Sequence, residues 1–220
     1  MSILKKVLVV LIVGIGGSIA LFLVFAATRP DTYRVERSQR IEAPAEVAFA
    51  QLDNFKSWAA WSPWEKRDPA MKRAFEGPAS GVGAGYSWEG NKDVGQGRMT
   101  ITDSKPPRGG SGETARVSIR LEFIKPFASV ASSEFTVKPE SALASTVSWV
   151  MEGHNNLMGK AFGVFMNMDK MIGGDFEAGL ASLKTVAEAE ARAQAEAKAQ
   201  AEARAKAAAA PSAAQAAVTP

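Results

Sequence analysis

The chain has no cysteine and a single histidine, His154. Without thiols there is no disulfide framework, thiolate nucleophile, cysteine-held zinc or iron–sulfur cluster, and one imidazole cannot build a multi-histidine metal centre. No G-x-S-x-G is present for a hydrolase. The glycine-rich GPASGVGAG at 77–85 lacks the Gly-Lys-Ser/Thr ending of a phosphate loop and lies between strand candidates instead of before a helix. It reads as tight turns and a loop at a cavity mouth. His154 has no positioned partner in a recognisable motif and reads as a solvent-facing turn residue, and Asp169 and Asp175 lack metal-loop spacing and read as helix-surface carboxylates. The sequence therefore indicates no catalytic residue, no metal and no cofactor.

A basic cluster is also missing. Lys and Arg number 26 against 23 Asp and Glu in 220 residues, and residues 29–185 carry 20 basic and 19 acidic groups. The high pI rests on Lys5 and Lys6 beside an apolar segment, not on a face suited to nucleic acid, which is excluded as a partner.

What is there begins with that segment. Val7–Ala27, VLVVLIVGIGGSIALFLVFAA, holds no charge. At about 1.5 Å per residue it matches the roughly 30 Å hydrocarbon core of a bilayer. Val24-Phe25-Ala26 would also suit a signal-peptide cleavage site, but the run exceeds the roughly 7–15 residues of a signal core, so residues 1–28 are expected to be a single-pass anchor in the cell membrane. Lys5 and Lys6 favour a cytoplasmic N-terminus. Arg29, Arg34, Arg37 and Arg40 argue the other way, yet they belong to a long folded domain, and such domains cross membranes largely regardless of charge. The outer, periplasmic face is favoured for the domain.

From residue 32 the hydrophobic period becomes two. Ala115, Val117, Ile119, Leu121 and Phe123 alternate with polar residues, as do Ala131/Ser133/Phe135/Val137 and Leu143/Ser145/Val147/Trp149/Met151. These are expected to be successive antiparallel strands, separated by turns at KPF (125–127) and KPESA (138–142), each with one buried face. Weaker strand candidates are Tyr33–Ile41, Met71–Glu76, Gly85–Glu89 and Gly97–Asp103. Pro44 and Glu46 open a helix ending near Asn54, and Phe55–Trp61 adds a short helical turn. A second helix is predicted from about Lys160, with Phe162, Phe165, Met168, Ile172, Phe176, Leu180 and Leu183 as its inner stripe and a kink at Gly173-Gly174. Residues 187–220 alternate Ala with Glu, Arg, Gln and Lys and present no apolar face. They are expected to form a solvated helical extension ending at Pro211 in a disordered tail, with a protein partner for this helix as the lesser alternative.

IEAPAEVAFAQLDNFKSWAAWSPW at 41–64 resembles the opening of the SRPBCC superfamily, the START-like and polyketide cyclase/dehydrase and lipid transport-like proteins. The matching positions are Ile41, Ala43, Pro44 and Val47, then Trp58, Trp61 and Pro63; GQGRMTI (95–101), LEFIKPF (121–127) and NNLMGKAFGVFMNMDKMIGGDFEAGLASLK (155–184) continue the likeness. The resemblance spans residues 32–186 and implies an α+β helix-grip fold, a curved antiparallel sheet around a long C-terminal helix. It also implies a cavity for a hydrophobic small molecule or lipid, in a superfamily where only some members are enzymes.

The expected lining residues are Trp61, Tyr86, Trp88, Phe123, Trp149, Phe162, Phe165 and Met168. Trp58 and Trp61 read more readily as a plug at one end of the core than as a pocket mouth, and Trp64 as the accessible member of the cluster. Three functions fit: a membrane-anchored binding module, which is favoured; a cyclase or dehydratase using groups such as Tyr86, Arg98 or Glu122; and a non-catalytic interaction protein.

Overall fold

The computed structural model describes residues 3–108, 112–165 and 167–209, with the side chains of Leu4, Phe162, Met168 and Ala209 outside the described set. Helix α1 (Ile3–Ala27) is followed by β1 (Thr32–Ile41), α2 (Ala45–Leu52) and a 3₁₀ helix at Phe55–Ala60. Six strands follow: β2 (Lys72–Glu76), β3 (Gly85–Glu89), β4 (Gln96–Lys105), β5 (Ala115–Lys125), β6 (Ser129–Ser141) and β7 (Ala144–His154). Two helices, α3 (Leu157–Phe165) and α4 (Met168–Ala209), close the chain. The seven strands form one antiparallel sheet in the order β1-β7-β6-β5-β4-β3-β2. With α4 packed on its inner face, this is the expected helix-grip architecture. Helix α1 is long and apolar enough to cross a membrane.

Local chemistry explains the entry to the fold. The Pro44 carbonyl accepts the amides of Val47 and Ala48 at 3.1 and 3.2 Å to start α2. At the other end of α2 the carbonyls of Gln51 and Leu52, which no longer have helical donors, accept the indole N–H groups of Trp61 (3.2 Å) and Trp58 (3.1 Å). Both indoles are buried, so the tryptophans plug the core and cap the helix together. Trp64 is only half-buried and packs edge-on against Trp149 and Phe176.

Helix α4 holds the sheet through Phe176, Leu180, Leu183 and Ala187, all buried, with Ile172 partly covered. Phe176 stacks on Trp149 with centroids 3.9 Å apart. Two glycines let the helix come this close. A Cβ on Gly173 would lie 2.0 Å from the Arg37 guanidinium, and one on Gly179 would lie 2.9 Å from the Trp149 ring and 3.1 Å from Pro63. Arg37 on β1 in turn donates to Asp169 (2.9 and 3.0 Å) and Glu177 (2.6 Å), the residues one turn before and after Gly173. The helix runs unbroken through Gly173-Gly174, and Gly173 leaves room for the Arg37 side chain that reaches it from the sheet.

The predicted single gripping helix is instead two helices. Asn167 supplies the reason: its Oδ1 accepts the Lys170 amide at 3.0 Å, the bond of a helix N-cap, which starts α4 afresh. Helix α3 leaves the inner stripe and lies along α1. Phe165 is therefore not an inner residue; it is 78% exposed and stacks on Phe22 at 5.4 Å. Strand β6 also continues through most of the expected KPESA turn, to Ser141, and Leu143 at the turn is exposed, outside the buried alternation. Packing on the domain runs slightly past Val186, since Glu188 accepts the Glu42 amide at 2.9 Å and Ala191 is partly buried. The expected tail beyond Ala209 lies outside the described residues.

The two kinds of glycine in α4 separate helix propensity from packing. Gly174 has open space around its Cβ position, so Gly174→Ala should stabilise the domain by roughly 0.5–1 kcal/mol. Gly179→Ala meets rigid ring atoms and should destabilise it by about 1–3 kcal/mol despite the same propensity gain. Urea unfolding of the two variants against the parent checks both signs.

Candidate functional site: an apolar trough open at the anchor end

Register defines the inner face of the sheet as rows. One row runs Tyr33, Gly153, Ala131, Leu121, Met99, Tyr86; the next runs Val35, Met151, Ser133, Ile119, Ile101; a third runs Arg37, Trp149, Phe135, Val117. The third row is where α4 lands, and there the space is filled. Trp61 meets Phe135 and Trp149 edge-on at 6.0 and 5.8 Å, and Trp58 lies 4.7 Å from Trp61. Ser133 gives this packing one polar tie, its Oγ accepting the Trp149 indole N–H at 2.9 Å.

The first row is different. Helix α4 begins only at Met168 and reaches the sheet at Arg37, so it does not cover this end. Tyr33, Met99, Leu121, Phe123 and Trp88 are all half-buried there, around the buried floor of Ala131 and Gly153. Small floor residues deepen the trough: a side chain at Gly153 would strike Tyr33 Oη at 2.5 Å, and one at Gly97 would strike the Trp88 ring at 2.4 Å. Trp88 is fixed by donating its indole N–H to the Val94 carbonyl (3.0 Å), with its ring edge-on to Phe123 at 6.2 Å. Burial holds the Tyr33 phenol above its ordinary pKa, so it stays a protonated donor.

The sequence-predicted lining residues thus divide. Trp88 and Phe123 stand at the open end; Trp61 and Trp149 are part of the filled end. Phe162 and Met168 lie outside the described side chains, and Phe165 faces α1. Tyr33, Met99 and Leu121 were not singled out, although each is in phase with the buried positions of its strand. The loop 77–83 sits away from the open end, with the Gly81 amide bonded to the Asp53 carbonyl at 3.2 Å beside the 3₁₀ helix; Gly77, Gly81 and Gly83 turn it with positive φ.

Tyr86 lies beside the trough in a polar group of its own. Its hydroxyl donates to Glu65 Oε1 at 2.7 Å, and Arg73 Nε donates to Glu65 Oε2 at 2.7 Å. The Glu65 side chain is only 9% exposed, so the arginine supplies the charge that makes its burial tolerable. Burial first, and the neighbouring carboxylate second, hold the Tyr86 phenol well above its ordinary pKa. Glu65 was missed from sequence because its partners are brought in from β2 and β3. The other two groups considered for chemistry, Arg98 and Glu122, face the opposite side of the sheet and pair there at 3.6 Å. His154 is exposed at the end of β7, and Asp169 and Asp175 pair with Arg37 and Arg67. Among the described residues no three carboxylates or imidazoles come together as metal ligands.

Two surface grooves adjoin the trough and share residues with it. One of about 670 Å³ takes in Tyr33, Ala131 and Gly153 of the first row together with Arg34, Ser132 and Glu152 of the polar face; another of about 530 Å³ lies beside the β5–β6 hairpin at Arg98, Glu122, Phe123 and Ile124.

The sign of the Tyr86 effect on stability follows from its raised pKa. In the unfolded chain the phenol loses its proton near pH 10, while in the fold it keeps it, so stability is full below about pH 10 and falls as pH rises beyond it. Tyr86→Phe should lower stability at pH 7, because Glu65 loses a donor, and should make the alkaline fall shallower. Urea midpoints measured from pH 7 to 11 check both effects.

The sequence model of the family described as "Polyketide cyclase / dehydrase and lipid transport" matches residues 32–188. No curated protein matches the chain. Among solved structures, a hypothetical protein from Helicobacter pylori shares the fold with a TM-score of 0.54 at 9% identity, over 70% of this chain and 88% of that one. A protein from Chromobacterium violaceum scores 0.47 at 16% identity, over 73% and 99%. A truncated norcoclaurine synthase from Thalictrum flavum scores 0.48 at 9% identity, over 70% and 92%.

Proposed function

Because the chain belongs to the polyketide cyclase/dehydrase and lipid transport family, we propose that it is a membrane-anchored binding module that holds a hydrophobic small molecule or lipid in the open end of the trough. The observation that carries this reading is the row Tyr33, Leu121, Met99 with Phe123 and Trp88, left half-buried while Val35, Ile101, Ile119, Phe135 and Trp149 in the neighbouring rows are buried. An apolar ligand there would remove this surface from water, a gain of about 25 cal/mol per Å². The described side chains of this row bring no charge toward the ligand. Tyr33 Oη, which makes no hydrogen bond among the described residues, is placed to meet one polar group on it. The class of ligand is thus a mostly apolar molecule with a single hydroxyl or carbonyl.

The anchor is α1. Its 25 residues span about 37 Å at 1.5 Å per residue, enough to cross a bilayer. Only residues 28–31 separate it from β1, so the domain sits at the membrane surface. Lys5 and Lys6 before the apolar run support an orientation with the domain on the outer face.

Native mass spectrometry of the full chain released from detergent tests the binding reading. The parent should carry an apolar adduct, and Leu121→Gln should lose it by an order of magnitude or more while still unfolding in one cooperative transition, since losing one leucine contact is worth roughly 1.5–3 kcal/mol. A parent without adduct, or a variant that retains it, contradicts the proposal.

A further inference from the structure

The end of the sheet that carries the open trough also carries a group of apolar side chains that the core does not use. Strand β1 starts there, β7 ends there, and the β5–β6 hairpin turns there, as the pairs Thr32↔His154, Gly153↔Ala131 and Phe123↔Ser129 require. On the hairpin, Ile124 and Phe127 are 51% and 65% exposed; on α3, Met158 and Phe165 are 60% and 78% exposed. These four residues line no part of the trough floor, and each leaves half or more of its surface in water, which does not favour folding.

Helix α3 runs antiparallel to the end of α1. Lys160 donates to the Ala27 carbonyl at 3.2 Å and pairs with Asp31, and five residues later Phe165 stacks on Phe22, five residues back along α1. Five residues of helix are about 7 Å, so if Ala27 marks the edge of the apolar layer, Phe165 lies about 7 Å inside it. The composition of α3 agrees with that depth. Lys160 is its only charge, and residues 161–165, the part lying deeper than Lys160, are AFGVF. Asn155 ties the two approaches together, its amide donating to the Asp31 carbonyl at 2.8 Å and its side chain to Pro30 O at 3.3 Å. Arg29, just after α1, and Lys125, at the end of β5, bring positive charge to the same end, as contact with anionic headgroups requires.

We propose that α3 and the tip of the β5–β6 hairpin form a second lipid-contacting surface, which holds the open end of the trough against the outer layer of the bilayer that α1 spans. The partner is the lipid bilayer, chosen because a four-residue connection to α1 leaves this end no other large neighbour within reach. An apolar ligand could then pass between bilayer and trough without crossing water. This proposal rests on α1 being a membrane anchor.

The absence of cysteine makes the test direct, since a single introduced thiol labels one site. Full-length chains carrying Phe127→Cys, Phe165→Cys, Leu11→Cys or Glu76→Cys are labelled with an environment-sensitive fluorophore and reconstituted into phosphatidylcholine–phosphatidylglycerol vesicles containing nitroxide lipid. Labels at 127 and 165 should be quenched by shallow nitroxides, the label at 11 by deep ones, and the label at 76 by neither. Quenching at 11 without quenching at 127 and 165 overturns the second contact and leaves the anchor standing. No quenching at 11, 127 and 165 overturns both.

Discussion

The fold depends on how closely α4 can approach the sheet. Gly173 and Gly179 remove the two side chains that would hold the helix away, and into the gaps come the Arg37 guanidinium and the Trp149–Pro63 surface. Only at that distance can Phe176 stack on Trp149 at 3.9 Å and Arg37 bridge Asp169 and Glu177. The exposed carboxylates of that bridge add little to stability by themselves; their value is in fixing where along β1 the helix sits. Once the helix is set there, the third row of the sheet is sealed and the first row is left beyond its start.

That asymmetry is what makes a site. At the sealed end aromatic rings meet edge-on or stacked, each pair worth about 0.5–1.5 kcal/mol beyond its burial. Their polar atoms are all engaged, Trp58 and Trp61 with the end of α2 and Trp149 with Ser133. The open end has the same apolar character without the same closure: Leu121, Met99 and Phe123 are only half covered, and Trp88, also half covered, is held by the Val94 carbonyl and by stacking on Tyr86. Under the proposed function, stability and ligand access fall at opposite ends of one trough, and the end left open is the one joined to the apolar helix.

Much of this was legible in the alternation of apolar and polar residues. Period-two patterning marked β5, β6 and β7, because one face of each is buried and a shift of one residue would expose it, and the four weaker candidates fall on β1 to β4. The division of the C-terminal helices was not legible. Phe162, Phe165, Met168 and Ile172 continue a helical spacing across the break, so periodicity alone joins two helices that Asn167 separates. Phe165 has the same apolar character whether its neighbour is the sheet or Phe22, and only the fold decides which. The roles of Glu65 and Arg73 were equally hidden, since their bonds join a turn to strands that are neighbours only in the folded chain. Tyr33 and Leu121 could have been found from phase: both alternate with the buried members of their strands, and both fall where α4 has not begun.

The claim that the open end, and not the sealed one, takes the ligand is tested most directly by tryptophan quenching with a brominated fatty acid, read on the full chain in lipid nanodiscs. Trp88 stands at the open end and Trp61 is fully buried at the other. The account predicts saturable quenching in the parent that is largely abolished by Trp88→Phe and unaffected by Trp64→Phe. Quenching that survives Trp88→Phe unchanged, or no saturable quenching in the parent, would contradict it.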